Sequence, residues 1–196
     1  MRLAVLAAVL MLFATEIRAA PPATTPAPDV AEVASKTFIV ACVAYFGDFA
    51  QLRDKLQPGH DLYLPQLPTA EARPFLQGRE GEVYVRPDAG VTLVLLTAEG
   101  QCAVFVRKVA AAALYQRLER DLRLALAQSF QVRAAGQDAK DKMTARFIDL
   151  VPTGDYRAEL QKRFGSEPAG LRTILTTSDS ANPDLQAIIT IGTRQP

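Results

Sequence analysis

Three side chains stand out for chemical range in this sequence: two cysteines, Cys42 and Cys102, and one histidine, His60. Two thiols can bind a metal, exchange with other disulfides or close on each other. Neither cysteine is part of a Cys-x-x-Cys, and neither lies near the histidine in sequence, so the spacing lends no support to redox or metal chemistry. In an oxidising compartment a small, even cysteine count points to a disulfide, and two cysteines allow one intramolecular pairing, Cys42–Cys102. Closing a loop of about 60 residues restricts the unfolded chain by roughly 4 kcal/mol on the entropy model, an upper figure.

His60 stands in Pro58-Gly59-His60-Asp61, a loop. Any Ser-His-Asp or Cys-His arrangement has to use it, and a site with two histidine ligands is excluded. The sequence has no GxSxG, no P-loop and no GxGxxG, so nucleophile-elbow hydrolysis and the common nucleotide cradles have no motif here. Acidic residues are scattered rather than set at calcium-loop spacing. Asp179, Asn182 and Asp184 come nearest to a cluster, and turn chemistry explains them. No catalytic residue, metal ligand or cofactor is therefore assigned. Two polar groups are candidates for a partner surface: Arg79 and Glu80 with Glu82, and the row Arg157, Glu159, Gln161 and Arg163. Arginine-rich mixed-charge faces occur at protein interfaces, although a merely solvated face is the competing reading.

The compartment is read from the N-terminus. Met1-Arg2 precedes LAVLAAVLMLFA, an apolar run of a dozen residues, too short for the ~20 that a permanent membrane span needs. Residues 1–19 read as a signal peptide cut after Ala19, with an uncleaved anchor as the alternative. No cysteine is placed for lipid attachment at a new N-terminus. Residues 20–28, APPATTPAP, form a proline-rich tether that cannot fold by itself. Cleavage removes Arg2 and Arg18 from 22 basic side chains and Glu16 from 21 acidic ones, leaving a net charge of zero. Nothing basic remains to draw in nucleic acid or an anionic membrane. Residues 29–196 are long enough for one domain, and a 49% hydrophobic content supplies a core.

The elements that must carry these residues follow from periodicity. Asp29 and Glu32 open a helix whose inner face holds Val30, Ala34, Phe38, Ala41, Cys42 and Tyr45. Its end, Phe38 to Phe46, is apolar all round and should be covered on most sides; a strand is the competing assignment there. Asp48 caps a short helix through Leu52 and Leu56. His60 to Gln77, with its prolines, suits an irregular segment on the core. Gly78 to Gly81 turns into a strand at 82–86. A central hairpin follows, 91–97 and 101–106, around Ala98-Glu99-Gly100. Val109 to Ala127 is the clearest helix, with Leu114, Tyr115, Leu118, Leu122 and Leu126 on one face and an Arg117–Asp121 pair on its edge. Strands are expected near 130–134 and at 143–151, with a polar loop at 136–142 between them. Tyr156, Ala158, Leu160 and Phe164 alternate with polar residues as a half-buried strand, a helix being the alternative. The last strands are 171–176 and 185–191, joined as an antiparallel meander.

A helix with Phe38-x-x-x-Cys42, a glycine-bracketed turn (Gly78, Gly81) and a hairpin with Gly100-x-Cys102 resembles a group of small exported bacterial proteins of unknown function, some of them lipoproteins. The resemblance covers about residues 30–107, and this chain departs from it in lacking a lipidation cysteine. It implies export and the disulfide, and implies no activity.

The sequence thus predicts a single α+β domain with two main helices on an antiparallel sheet and one disulfide, periplasmic or secreted, with no membrane span after cleavage. The expected function is a non-catalytic binding, inhibitory or accessory module of the cell envelope, its partner another periplasmic or envelope protein. The alternative is a periplasmic enzyme that assembles a site from His60 and dispersed acidic residues.

Overall fold

A computed structural model describes residues 27–166, 168–179 and 186–194 of the chain. The expected signal peptide, residues 20–26 of the expected tether, Asn182 and Asp184 lie outside the described residues.

Asp29 caps the first helix, α1 (Val30–Thr37): its Oδ1 accepts from the backbone N–H of Ala31 at 3.0 Å and of Glu32 at 3.4 Å. The helix runs on without a break into a π segment, Phe38–Val43, in which the Ala44 N–H reaches five residues back to the Ile39 carbonyl at 3.0 Å. The wider turn keeps Phe38, Ala41, Cys42 and Val43 buried together. Coverage of this end is less complete than its composition suggests, because Val40 is 42% exposed and Ala44 is exposed as well. Asp48 caps α2 (Phe49–Lys55) through the Gln51 N–H, and Leu52 and Leu56 are buried.

The expected irregular stretch contains a further helix, α3 (Thr69–Leu76), with Pro74 inside it. A proline there forfeits one backbone hydrogen bond, but α3 has only two turns and ends at once on Gln77 in the left-handed conformation (φ 50°). Packing of Ala72, Phe75 and Leu76 on the sheet offsets the missing bond.

Seven strands form one antiparallel sheet among the described residues: β1 (Gly81–Arg86), β2 (Val91–Leu96), β3 (Gln101–Val106), β4 (Phe130–Lys140), β5 (Met143–Pro152), β6 (Leu171–Ser178) and β7 (Ala187–Thr193). Their order is β1-β2-β3-β7-β6-β5-β4, so the meander is not continuous. After β3, helix α4 (Ala111–Ala125) carries the chain to the far edge, and the sheet fills back until β7 pairs with β3. Gly81 admits no side chain, because a Cβ there would run into the Leu95 carbonyl oxygen on β2.

Two other expectations are corrected. The polar stretch 136–142 is mostly strand, since β4 continues to Lys140 past a bulge between Ala134 and Gln137. Its polarity reflects an edge strand in water rather than a loop. Residues 154–164 are helix α5 (Gly154–Phe164), not a strand. Tyr156 and Leu160 satisfy a period of two and a spacing of four equally well. The ends decide it: Asp155 in the first turn and Lys162 and Arg163 in the last suit the helix dipole, and Gly165 (φ 68°) closes the helix in left-handed geometry.

One face of the sheet carries the main core, where Leu93, Leu95, Val104, Ile148, Leu150, Leu175 and Ile189 meet α1, the π segment, α2 and α4. The opposite face of β1–β3 carries a smaller core, in which α3 covers Val83, Val94, Leu96 and Ala103. Cys42 and Cys102 are joined, with Cα atoms 5.3 Å apart and both residues fully buried, so the disulfide ties the π segment to β3. The fold is α+β with one disulfide, and no helix among the described residues is long and apolar enough to cross a membrane.

Candidate partner-binding site

The charged residues singled out in the sequence fall at two separate places in the fold. Arg79 is exposed and its Nε donates to the Leu76 carbonyl at 3.2 Å. Glu80 is exposed, and its carbonyl accepts from the Thr97 N–H. Glu82 holds Arg53 at 2.6 Å while Arg53 also reaches the Thr97 hydroxyl at 3.0 Å, so this pair pins α2 to β1. Arg157, Glu159 and Arg163 are exposed on α5. Because helix residues step about 100° each, they do not form the single row that a strand would give. β1 is one edge of the sheet, while α5 connects β5 to β6 toward the other.

His60 is exposed in its loop. It shares a hollow of about 720 Å³ with Tyr45, Lys55 and Asp61. Among the described residues no group of three or more His, Cys, Asp or Glu is arranged to hold a metal ion.

A different set of side chains comes together on the outer face of β5–β7. Asp149 is 9% exposed, and Arg172, its register partner on β6, grips it in two hydrogen bonds of 2.7 and 3.1 Å. Arg194, just past β7, adds a third contact at 3.8 Å. The carboxylate raises the pKa of the Arg172 guanidinium further, chiefly through the hydrogen bonds, so that cation stays charged. The guanidinium also lies 5.6 Å from the centre of the Phe147 ring. Arg133 on β4 stands opposite Asp149 on the other side. Two arginines thus hold one aspartate, and Arg133, whose guanidinium donates to the Gln131 side chain, adds a third positive charge on the same face.

Strand alternation places Phe147 and Val151 on the same face as Asp149, and the register puts Ile174 beside Phe147. All three are half-buried and pack into neither hydrophobic core. The helices that build the two cores lie over the other face or over β1–β3. A sheet face with apolar side chains beside an arginine cluster is able to bury itself against a partner that brings carboxylates. This site was missed in the sequence, although Phe147-Ile148-Asp149-Leu150-Val151 held the signal: an acid centred in an apolar strand needs a cation opposite it.

A second feature lies at the end of the helical layer. A groove of about 760 Å³ runs between α5 and the body, walled by Val43, Phe46, Leu126, Phe130, Leu160 and Leu171. The rings of Phe130 and Tyr156, both in its wall, pack with centroids 5.2 Å apart. No protein-family model, curated protein or solved structure matches the chain.

Proposed function

We propose that this protein is an exported, non-catalytic binding or accessory module of the cell envelope, and that it engages an acidic protein partner through the outer face of β5–β7. The observation that carries the reading is Phe147, Val151 and Ile174 lying in neither core beside the Arg133–Asp149–Arg172–Arg194 cluster. The cluster has an excess of two positive charges, and its complement is a surface with carboxylates around apolar side chains. The signal-like N-terminus and the buried disulfide support export.

The test is photo-crosslinking in the native host, with benzoylphenylalanine at Ile174 and, as control, at Gln116 on the exposed side of α4. A crosslinked protein of one discrete mass at 174, absent at 116 and lost when Arg194→Glu is added, is the expected result. Crosslinks that ignore Arg194→Glu, or none at all, would remove this face as the docking site. The competing reading is an enzyme built on His60, and loss of the protein's phenotype in a well-folded His60→Ala variant would favour it.

A further inference from the structure

The groove under α5 differs chemically from every other hollow near it. Among the described residues its lining has no charged side chain; the polar side chains are the hydroxyls of Ser129, Tyr156, Ser166 and Thr193. Its volume of about 760 Å³ is that of a small-molecule site, which spans roughly 300–1,000 Å³. One wall is α5, most of whose residues are exposed and which leans on the body through Tyr156 and the half-buried Leu160. Water in such a groove finds few partners, so an apolar occupant gains by displacing it.

The groove does not stop at the end of α5. Val43, Ala44, Ala125 and Leu126 wall it and also wall the neighbouring hollow, where Lys55 and His60 stand with Asp61. The groove and the hollow that holds Lys55 and Asp61 therefore lie on two sides of one wall. Exposed apolar side chains stand in both: Tyr156, 40% exposed, walls the groove and Val40, 42% exposed, walls the neighbouring hollow.

We propose that this groove binds a single acyl chain carrying an anionic head. The chain lies between α5 and the ends of the π segment and α4. The head crosses the shared wall toward Lys55. The site is separate from the outer sheet face, so each can fail without the other.

Dodecanoate is the probe, titrated below its micelle concentration into the purified oxidised protein and followed by calorimetry. One saturable site is expected. Ala44→Glu sets a carboxylate on the shared wall at an exposed position and should weaken binding by about tenfold or more. Lys55→Gln should weaken dodecanoate several-fold and leave uncharged dodecanol unchanged. Circular dichroism and the unfolding midpoint check that both variants fold. Absence of saturable binding, or binding that Ala44→Glu leaves intact, overturns the proposal. Flotation with phosphatidylcholine vesicles, with and without phosphatidylglycerol, separates the sources of the chain. Vesicle binding that dodecanoate competes away identifies membrane lipid, dodecanoate binding alone identifies a free fatty acid, and vesicle binding by a protein that ignores dodecanoate overturns the groove.

Discussion

Asp149 is the residue on which the outer face turns. A carboxylate on an open sheet has water available, yet this one is nearly covered because Arg172 and Arg194 lie across it. Taking away Arg172 leaves the acid with Arg194 alone at 3.8 Å. Breaking a fully buried pair costs about 3–5 kcal/mol. The Arg172 side chain is 36% exposed, so solvent screening brings the expected loss for Arg172→Ala to about 1–2 kcal/mol. Urea unfolding measures this. An unchanged midpoint would mean that Asp149 is content in water and that the arginines are arranged for something other than the aspartate. The pairing itself was not legible in sequence, because 23 residues and a helix separate the partners and only the strand register brings them opposite. Glu82 and the α5 charges, by contrast, were conspicuous in the sequence and sit on separate elements.

At the scale of elements, α1 and α4 are joined by an ionic knot. Arg117 on α4 takes Asp121 at 2.7 Å within its own helix and Glu32 on α1 at 2.9 Å. Glu32 also pairs with Lys36. The Glu32 carboxyl is held below its usual value of 4.5, first by the hydrogen bond from Lys36 and then by Arg117. A lowered folded-state pKa contributes stability that is complete above 4.5 and disappears as pH falls through the depressed value. Glu32→Gln should therefore unfold more easily at neutral pH and lose less stability than the wild type on acidification below 4.5. Parallel stability profiles for the two proteins across that range would refute the coupling. Asp29, Glu32 and the Arg117–Asp121 pair could each be read from i,i+3 and i,i+4 spacing. The link between helices could not, since it depends on how α1 lies against α4. The same divide explains the misreadings of α3 and α5: proline counting and alternation describe local preference, whereas burial of Phe75 and the glycine stop at Gly165 decide the outcome.

For the molecule as a whole, the disulfide is the one covalent cross-link, and it joins the helical layer to the sheet. Replacing both Cys42 and Cys102 by Ala keeps the positions apolar and frees the loop. The double variant should lose about 2–4 kcal/mol, read as a lower urea midpoint than that of the oxidised wild type. A midpoint within error of the wild type would show that packing of the π segment on β3 is sufficient alone. This pairing, the hairpin β2–β3 and the helix α4 were all legible, because cysteine number, a glycine turn and a 3.6-residue period are local signals. The strand order was not. Sequence neighbours suggest a ribbon that folds back and forth in turn, and nothing in the residues of β7 names β3 as its companion.

That order has a consequence for how the chain is made. Synthesis delivers the N-terminus first, and Cys42 and Cys102 are both present long before the final strand emerges. The covalent bond can close early, but the inner margin of β3 keeps its backbone groups unmatched until residues 187–193 arrive to cover them. An exported product clipped just short of its last strand would be a protein already locked yet sticky along its middle.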